Sequence, residues 1–218
     1  MIKSILFSII FSLVMFMSYA QTGADTLHYN KIYYFAGTGL AIPMGKTKEV
    51  LSSQLFSGSM GLDIALKNKN YYLYPALYMF SFKYNQQQDD PAYAYKVENG
   101  QSSFYMLSLS VGGRKQFDRL NTYVYLGPTV GLSNQPRAEL MNEKIKMKMD
   151  RSIAYGTKIG VGGDYKFKGF YLCGEVGYMY HVTKIENHPF HALSILFGLK
   201  SDITQFSTKV VDLISTKR

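Results

Sequence analysis

Apolar and polar residues alternate with a period of two in residues 153–167. Ile159 and Val161 occupy odd positions there, whereas Lys158 and Asp164 occupy even positions. Successive side chains of a β-strand point to opposite faces of a sheet, so this period predicts a strand with one apolar and one polar face. The two faces of this long strand must therefore meet different surroundings.

The same alternation occurs in seven other segments of the chain, although it is blurred in 72–82, where Leu73, Leu77 and Met79 are apolar too. The predicted strands are 33–42, 59–67, 72–82, 105–114, 124–133, 153–167, 170–183 and 192–199. Their connections are alternately short (68–70, 118–121 and 168–169) and long (43–56, 85–102, 134–150 and 184–190). Short turns at one end and long loops at the other are typical of transmembrane barrels, whose strands need about 9 to 11 residues to cross a bilayer. The sequence predicts an all-β fold, an eight-stranded antiparallel up-and-down transmembrane barrel.

The N-terminal segment has the features of a signal peptide. Lys3 is followed by an apolar run over residues 5–17, and Ser18 and Ala20 are small residues where a signal peptidase recognises its substrate. An uncleaved membrane anchor is the alternative, although the run is shorter than the ~20 apolar residues of a spanning helix. We predict three parts: a signal peptide at 1–20, a barrel domain at 21–200 and a periplasmic tail at 201–218.

The composition adds a basic charge balance and a single thiol. The chain has 24 Lys and Arg against 15 Asp and Glu, a formal net charge of +9, which suits anionic surfaces such as lipid phosphates. Nucleic acid is not expected as a partner, because an exported protein rarely meets it. Cys173 is the only cysteine, which excludes an intrachain disulfide and a CxxC metal site. Packing within a strand is its favoured interpretation, with a nucleophile or an intermolecular bridge as alternatives.

Five segments carry a resemblance to a known family. They are YYFAGTGLAIPMG, LSLSVGGRKQF, TYVYLGPTVGLS, KIGVGGDYKFKGFYLCGEVGYMYHV and ALSILFGLK. The chain resembles the small eight-stranded outer-membrane barrels, the group with OmpA- and OmpX-like barrels, and is most similar to the outer membrane protein β-barrel domain proteins of the Bacteroidota. The resemblance implies the fold and localisation in the cell outer membrane. Such barrels often end on an aromatic residue that the assembly machinery recognises, whereas here residues 201–218 follow Lys200.

The expected role is non-enzymatic: a structural, adhesive or envelope-assembly function without an open pore. The expected partners are outer-membrane lipids and glycolipid, the barrel assembly machinery and, as a further candidate, a surface or envelope protein. No cofactor, metal site or catalytic residue is expected. Two alternatives stay open, an outer-membrane lipid-modifying enzyme and a soluble periplasmic barrel of lipocalin type.

Charged residues on the polar faces form the first candidate site. If the apolar faces meet lipid, then Asp63, Arg114, Lys158, Asp164 and Glu175 point inward, because an outward Lys or Arg near the midplane costs about 2 to 4 kcal/mol. An eight-stranded interior is only wide enough for its own side chains. We expect these charges to pair as a polar core, with Glu175 bridging basic neighbours, and not to line an aqueous channel.

The third long connection contains the second candidate site. In NEKIKMKMDR, the basic residues Lys144, Lys146 and Lys148 alternate with apolar residues, which suggests that two strands extend beyond the membrane. Such a basic ribbon could bind phosphates of surface glycolipid or pair with a partner strand. A solvated hairpin is the alternative interpretation.

The enzyme alternative rests on residues near the last loop. His181, Glu186, His188 and His191 lie close in sequence to Ser194, and some eight-stranded outer-membrane barrels modify lipid A with residues of these types. No HExxH or other metal-ligand spacing is present. Loop histidines are mostly solvated, so the enzyme interpretation is the less favoured one.

Overall fold

A computed structural model describes residues 32–87, 95–141, 144–167 and 169–204; the side chains of Phe56, Leu140, Met141 and Lys144 are outside this description. The predicted signal peptide and most of the predicted tail lie outside the described residues. The elements are β1 (Ile32–Pro43), α1 (Thr47–Val50), β2 (Leu51–Ser53), β3 (Leu55–Ala65), β4 (Tyr71–Tyr84), β5 (Gly100–Phe117), β6 (Leu120–Met141), β7 (Lys144–Lys166), β8 (Tyr171–Ile185) and β9 (His188–Asp202).

Eight of these strands form one closed antiparallel ring. Each long strand pairs with the next one along the chain, and β1 pairs with β9 to close the ring. The three-residue β2 lies outside this order and adds only a short pairing with the outer end of β4. Closure leaves no long edge strand within the ring. The backbone N–H and C=O groups of neighbouring strands can therefore hydrogen-bond to one another, as a sheet that crosses a membrane requires. The predicted eight-stranded transmembrane barrel is confirmed.

The two faces of each strand have opposite character. Along β7, Ile159 and Val161 are exposed on the outside, whereas Ala154, Lys158 and Asp164 are buried inside. The outward positions of the described strands carry a charge at only four places, all toward one end of the barrel or the other: Lys83, Lys115, Arg151 and Lys184. The surface between these charges is an apolar belt, as the hydrocarbon of a bilayer requires.

Two of the four predicted long loops are shorter in the structure. Residues 184–190 contain only a two-residue turn, Glu186–Asn187, in which both residues have positive φ angles (45° and 68°). Such a turn matches the twist of a β-hairpin, so β8 and β9 extend to it. Residues 134–150 are mostly strand, because β6 and β7 continue to Met141 and Lys144.

The boundaries at the opposite end match the prediction more closely. The connections after β3, β5 and β7 are all short and lie at the end where the chain enters β1 and leaves β9. Strand β9 ends at Asp202, two residues beyond the predicted end of the barrel domain. Among the described residues, no helix is long and apolar enough to span a membrane.

The apolar belt predicts how an outward charge affects stability. Leu109 lies on the outer face of β5, midway between Lys115 and Ser103. Leu109→Lys should lower the free energy of unfolding in lipid vesicles by about 2 to 4 kcal/mol, because the charge would lie near the midplane. The control Leu120→Lys, at the start of β6, should cost about 0 to 1 kcal/mol. Urea unfolding in vesicles measures both, and equal costs would contradict this position of the belt.

Candidate functional site

The interior near the short turns contains a network of four charged side chains. Arg114 Nη1 and Lys200 Nζ donate to Asp63 Oδ2 at 2.7 and 2.6 Å, and Lys200 Nζ also donates to Asp164 Oδ2 at 2.7 Å. Asn121 Nδ2 donates to the same Asp164 oxygen at 3.1 Å. Two cations and two carboxylates balance, so the network has no net charge inside the ring.

A second network lies further along the interior and centres on Glu175. Lys158 Nζ donates to Glu175 Oε1 at 2.9 Å, and the hydroxyl of Tyr125 donates to the same oxygen at 2.5 Å. The Tyr74 hydroxyl donates to Oε2 at 2.9 Å. The Lys158 ammonium also lies 3.6 Å from the centre of the Tyr78 ring, a distance typical of a cation–π contact. Both carboxylate oxygens and the ammonium thus contact polar or aromatic side chains of the barrel.

A glycine in β8 allows Lys158 to reach its partner. Lys158 lies opposite Met179 in the β7–β8 ladder, and Gly177 is the next inward position toward Glu175. A Cβ atom added to Gly177 would lie only 2.8 Å from Cε of Lys158. The lysine side chain therefore crosses the space that a larger residue would fill.

Tyrosine rings use inward glycines in the same way. Tyr125 lies directly opposite Gly160, and Tyr72 directly opposite Gly112. In both pairs, a Cβ on the glycine would come within 2.5 Å of the tyrosine ring or its hydroxyl. Aromatic rings that cover glycines of the neighbouring strand fix the register of a curved sheet. The Tyr125 pair places its hydroxyl where it reaches Glu175.

The outer half of the interior combines an aromatic cluster with buried polar side chains, among them Ser102, Thr129, Ser133, Gln135, Arg137 and His181. Phe82, Phe104 and Phe190 form a cluster with ring centres 4.5 to 5.7 Å apart, and Phe80 packs beside Phe82. Buried polar residues therefore continue along the interior, and the aromatic cluster lies among them. Strand β4 contributes to this cluster, because it is apolar on both faces and turns its aromatic residues inward.

Side chains fill nearly all of the space inside the ring. One interior cavity borders Asp164, Cys173 and Lys200, and another borders Glu175 and Leu196; each has a volume of about 10 Å³. A cavity of that size holds about one water molecule. This filled interior is the reverse of a ligand-binding lipocalin cavity, which needs open apolar space inside.

Hydrogen bonds connect the outer ends of several strands. The Tyr84 hydroxyl donates to Glu186 Oε1 at 2.5 Å, the backbone N–H of Gln87 donates to Glu186 Oε2 at 2.9 Å, and Arg137 donates to the Tyr84 hydroxyl. The Thr47 hydroxyl of α1 donates to the carbonyl of Pro189 at 3.0 Å. The turn between β8 and β9 is therefore fixed to the connections that follow β1 and β4.

The hairpin of β6 and β7 extends beyond its neighbours. The β7–β8 ladder ends at Gly156 opposite His181, so the outer part of β7 has no ladder partner on that side among the described strands. Ile145, Met147 and Met149 on its outward face are 58, 61 and 49% exposed. We call the hairpin formed by Gln135–Met141 of β6 and Lys144–Asp150 of β7 the outer hairpin.

The predicted basic residues lie on the outer hairpin. Lys146 and Lys148 are exposed, and Lys148 Nζ lies 3.5 Å from Glu139 Oε2. Lys144 begins β7, but its side chain lies outside the described part of the structure. On the β6 side, Tyr95 forms an isolated bridge with Ala138, whereas the β7 edge has no such pairing among the strands that the structure describes.

The residues of the enzyme interpretation are not brought together. His181 is fully buried, with Nε2 3.2 Å from the Thr129 hydroxyl, whereas His191 lies on the outer surface, with Nδ1 2.5 Å from the Tyr178 hydroxyl. Ser194 is buried and donates to the carbonyl of Gly177 at 3.2 Å. Within the described ranges, no group of three or more His, Cys, Asp or Glu residues could hold a metal ion.

The structure places all five predicted inward residues inside the ring, and it adds residues that the sequence interpretation omitted. Lys200 is one of them, although it continues the inward phase of Ala192, Ser194 and Gly198 along β9. The hydroxyls of the β4 tyrosines were also missed. No pattern in the sequence shows which face of β4 points inward, because both faces are apolar.

Comparison with known structures supports the same fold. The chain is similar to neisserial surface protein A, with 13% identity and a TM-score of 0.53, over 78% of this chain and 96% of that one. It is also similar to a major outer membrane protein from Thermus thermophilus, with 13% identity and a TM-score of 0.60, over 80% of this chain and 99% of that one. No family model matches the sequence, and no curated protein matches it significantly.

These likenesses show the fold and nothing finer at such low identity. The apolar belt, which lies on the outside of a closed ring, independently requires a membrane around the strands. The chain is therefore a small outer-membrane β-barrel, and the predicted localisation in the cell outer membrane is confirmed.

The Glu175 network predicts an asymmetric response to mutation. Lys158→Met should lower the free energy of unfolding by about 3 to 5 kcal/mol, because it leaves a buried carboxylate without its cation. Adding Glu175→Gln should recover part of that loss, since the double variant buries no charge. The exposed pair is the control: Lys148→Met should cost less than about 1 kcal/mol. Urea unfolding would contradict the buried pairing if Lys158→Met and Lys148→Met had equal costs.

The glycine and tyrosine pairs predict a second asymmetry. Gly160→Ala should destabilise the barrel by about 1 to 3 kcal/mol, because the new Cβ would lie 2.4 Å from the Tyr125 hydroxyl. Gly174→Ala is the matched control, since its Cβ would lie 3.6 Å from the nearest atoms, in the Phe197 ring. The temperature at which the folded band disappears on a gel measures both variants. An equal shift for the two would show that ring packing against Gly160 is not required.

Proposed function

We propose that this chain is a closed, non-enzymatic outer-membrane barrel that presents the outer hairpin to a partner at the cell surface. In this role the barrel is an anchor, and the binding surface lies outside the membrane. The finer family assignment, to the OmpA- and OmpX-like barrel proteins of the Bacteroidota, belongs to the same proposal and rests on the sequence motifs. So do recognition by the barrel assembly machinery and the predicted signal peptide.

The filled interior supports a role without a pore. Charged networks occupy the inner part of the ring and the Phe82, Phe104 and Phe190 cluster occupies the outer part. An ion would have to break both to cross. The same packing gives substrates no route to His181 or Ser194, which favours a non-enzymatic role.

The outer hairpin is the observation that carries the proposal. Hydrogen bonds of Tyr84, Gln87 and Glu186 hold the connections after β4 and β8 to the rim, and Arg137 joins the β6 strand of the outer hairpin to the same network. The β7 edge of the outer hairpin instead projects with exposed Met147 and Met149 on one face. An exposed apolar strand edge is costly to keep in water and is usually managed by charge or by a binding partner.

The basic face of the outer hairpin defines the partner chemistry. Lys144, Lys146 and Lys148 occupy alternate positions and so lie along one face of β7. Lys146 and Lys148 are exposed, and Lys148 also contacts Glu139. Lysines at this spacing complement a surface with several phosphates, and each basic residue near such a surface contributes about 1 kcal/mol. Phosphate groups of surface glycolipid are the ligand that we propose, and pairing with a partner strand is the competing outcome.

Binding to lipopolysaccharide tests this proposal. The barrel is placed in phosphatidylcholine nanodiscs and its binding to immobilised lipopolysaccharide is measured at low and high salt. Substituting Glu at Lys144, Lys146 and Lys148 should weaken binding by at least about tenfold, and added salt should weaken the unsubstituted protein similarly.

The control removes the same number of cations from the short-turn end by substituting Glu at Lys67, Lys69 and Arg119. This variant should bind as the unsubstituted protein does. Equal losses in both variants would mean that only net charge matters. Modified lipid A, detected by mass spectrometry after incubation, would replace the proposal with the enzyme alternative.

A further inference from the structure

A groove lies at the short-turn end of the barrel, away from the outer hairpin. It has a volume of about 760 Å³ and is formed by the end of β5, the start of β6 and the turn between β3 and β4. Pockets of about 300 to 1,000 Å³ are typical of ligand sites. Arg114 and Asn121 of the interior network also line it, but its outward-facing residues belong neither to that network nor to the outer hairpin.

The apolar part of the groove is a notch on the outward face. Tyr71, Gly113 and Val124 lie opposite one another in a row across three strands. Tyr71 and Val124 are 55 and 48% exposed, and a Cβ added to Gly113 would meet no atom within 4 Å. The glycine therefore leaves an open gap between two exposed apolar side chains on the face that contacts lipid.

The polar part of the groove begins two residues further along β5. Lys115 points outward, opposite Thr122, and its ammonium lies 5.0 Å from the centre of the Phe117 ring. Lys69 in the adjoining turn is also exposed and lines the same groove. Two cations thus lie beside the notch on the side toward the short turns.

The level of Lys115 locates this groove relative to the membrane. It is the one charged outward residue near the short-turn end of the described strands, and Val111 and Leu109 continue the apolar belt beyond it. A lysine is tolerated on the lipid face only near the interface, where its ammonium reaches the headgroups. The notch therefore lies in the hydrocarbon edge and the cations lie at headgroup level.

We propose that this groove binds one anionic phospholipid of the leaflet at the short-turn end. An acyl chain lies in the notch between Tyr71 and Val124, and the headgroup phosphate lies between Lys69 and Lys115. The short turns of such barrels face the periplasm, so the leaflet is the periplasmic one. This site is independent of the glycolipid proposal, because it uses other residues at the opposite end.

Native mass spectrometry of the detergent-released barrel tests the site with phosphatidylglycerol and phosphatidylcholine as probes. The barrel should retain phosphatidylglycerol in preference to phosphatidylcholine. The double variant Lys69→Gln and Lys115→Gln should bind phosphatidylglycerol about tenfold more weakly, because each cation contributes to binding of the phosphate. Gly113→Leu should also lose most binding, although it removes no charge.

The control Lys83→Gln and Lys184→Gln removes two outward cations at the other end of the barrel and should bind normally. Each variant is first shown to be folded by its heat-modifiable band on a gel. Equal retention of both lipids, or unchanged binding by the groove variants, would overturn the proposal. Glycerol phosphate that competed as well as the whole lipid would overturn it too, since the site would then bind a small anion without using the notch.

Discussion

The narrow interior of an eight-stranded ring is the constraint on which the rest of this structure depends. The ring has room for side chains and little else, and its outer surface must be apolar to contact lipid. Every charge that a strand carries within the bilayer must therefore point inward and find an opposite charge there. Asp63 and Asp164 meet this demand with Arg114 and Lys200, and Glu175 meets it with Lys158.

Glycine makes these pairings sterically possible. Gly177 leaves a path for the Lys158 side chain, and Gly160 and Gly112 leave room for the rings of Tyr125 and Tyr72. Tyrosine supplies hydroxyls where the carboxylate of the core needs further donors, while phenylalanine rings pack among polar side chains in the outer half. A barrel filled in this way is a rigid anchor, so binding chemistry is left to its two ends. The outer hairpin and the groove near Lys115 are the surfaces at those ends.

The sequence predicted the fold well because lipid outside the ring and a polar interior select different residues at alternate positions of most strands. It also identified Asp63, Arg114, Lys158, Asp164 and Glu175 as inward positions, because charges cannot face lipid. The prediction of inward residues failed where the two faces of a strand do not differ in polarity. Strand β4 is apolar on both faces, so its inward aromatic residues gave no signal, and the partners of each charge depend on register across strands that are distant in sequence. The sequence also predicts a long loop over residues 184–190, where the structure has a two-residue turn at Glu186–Asn187. Glu-Asn is not one of the glycine-containing pairs by which a sequence signals such a turn.

Paired charges and aromatic rings close the inside of the ring to water and ions. Current recording from the purified protein in planar lipid bilayers is the decisive test of this closure. We expect no conductance steps at moderate voltage, because the two charged networks and the Phe82, Phe104 and Phe190 cluster leave no continuous water path. Stable steps of nanosiemens size would show that the interior is not filled, since they require an open aqueous channel.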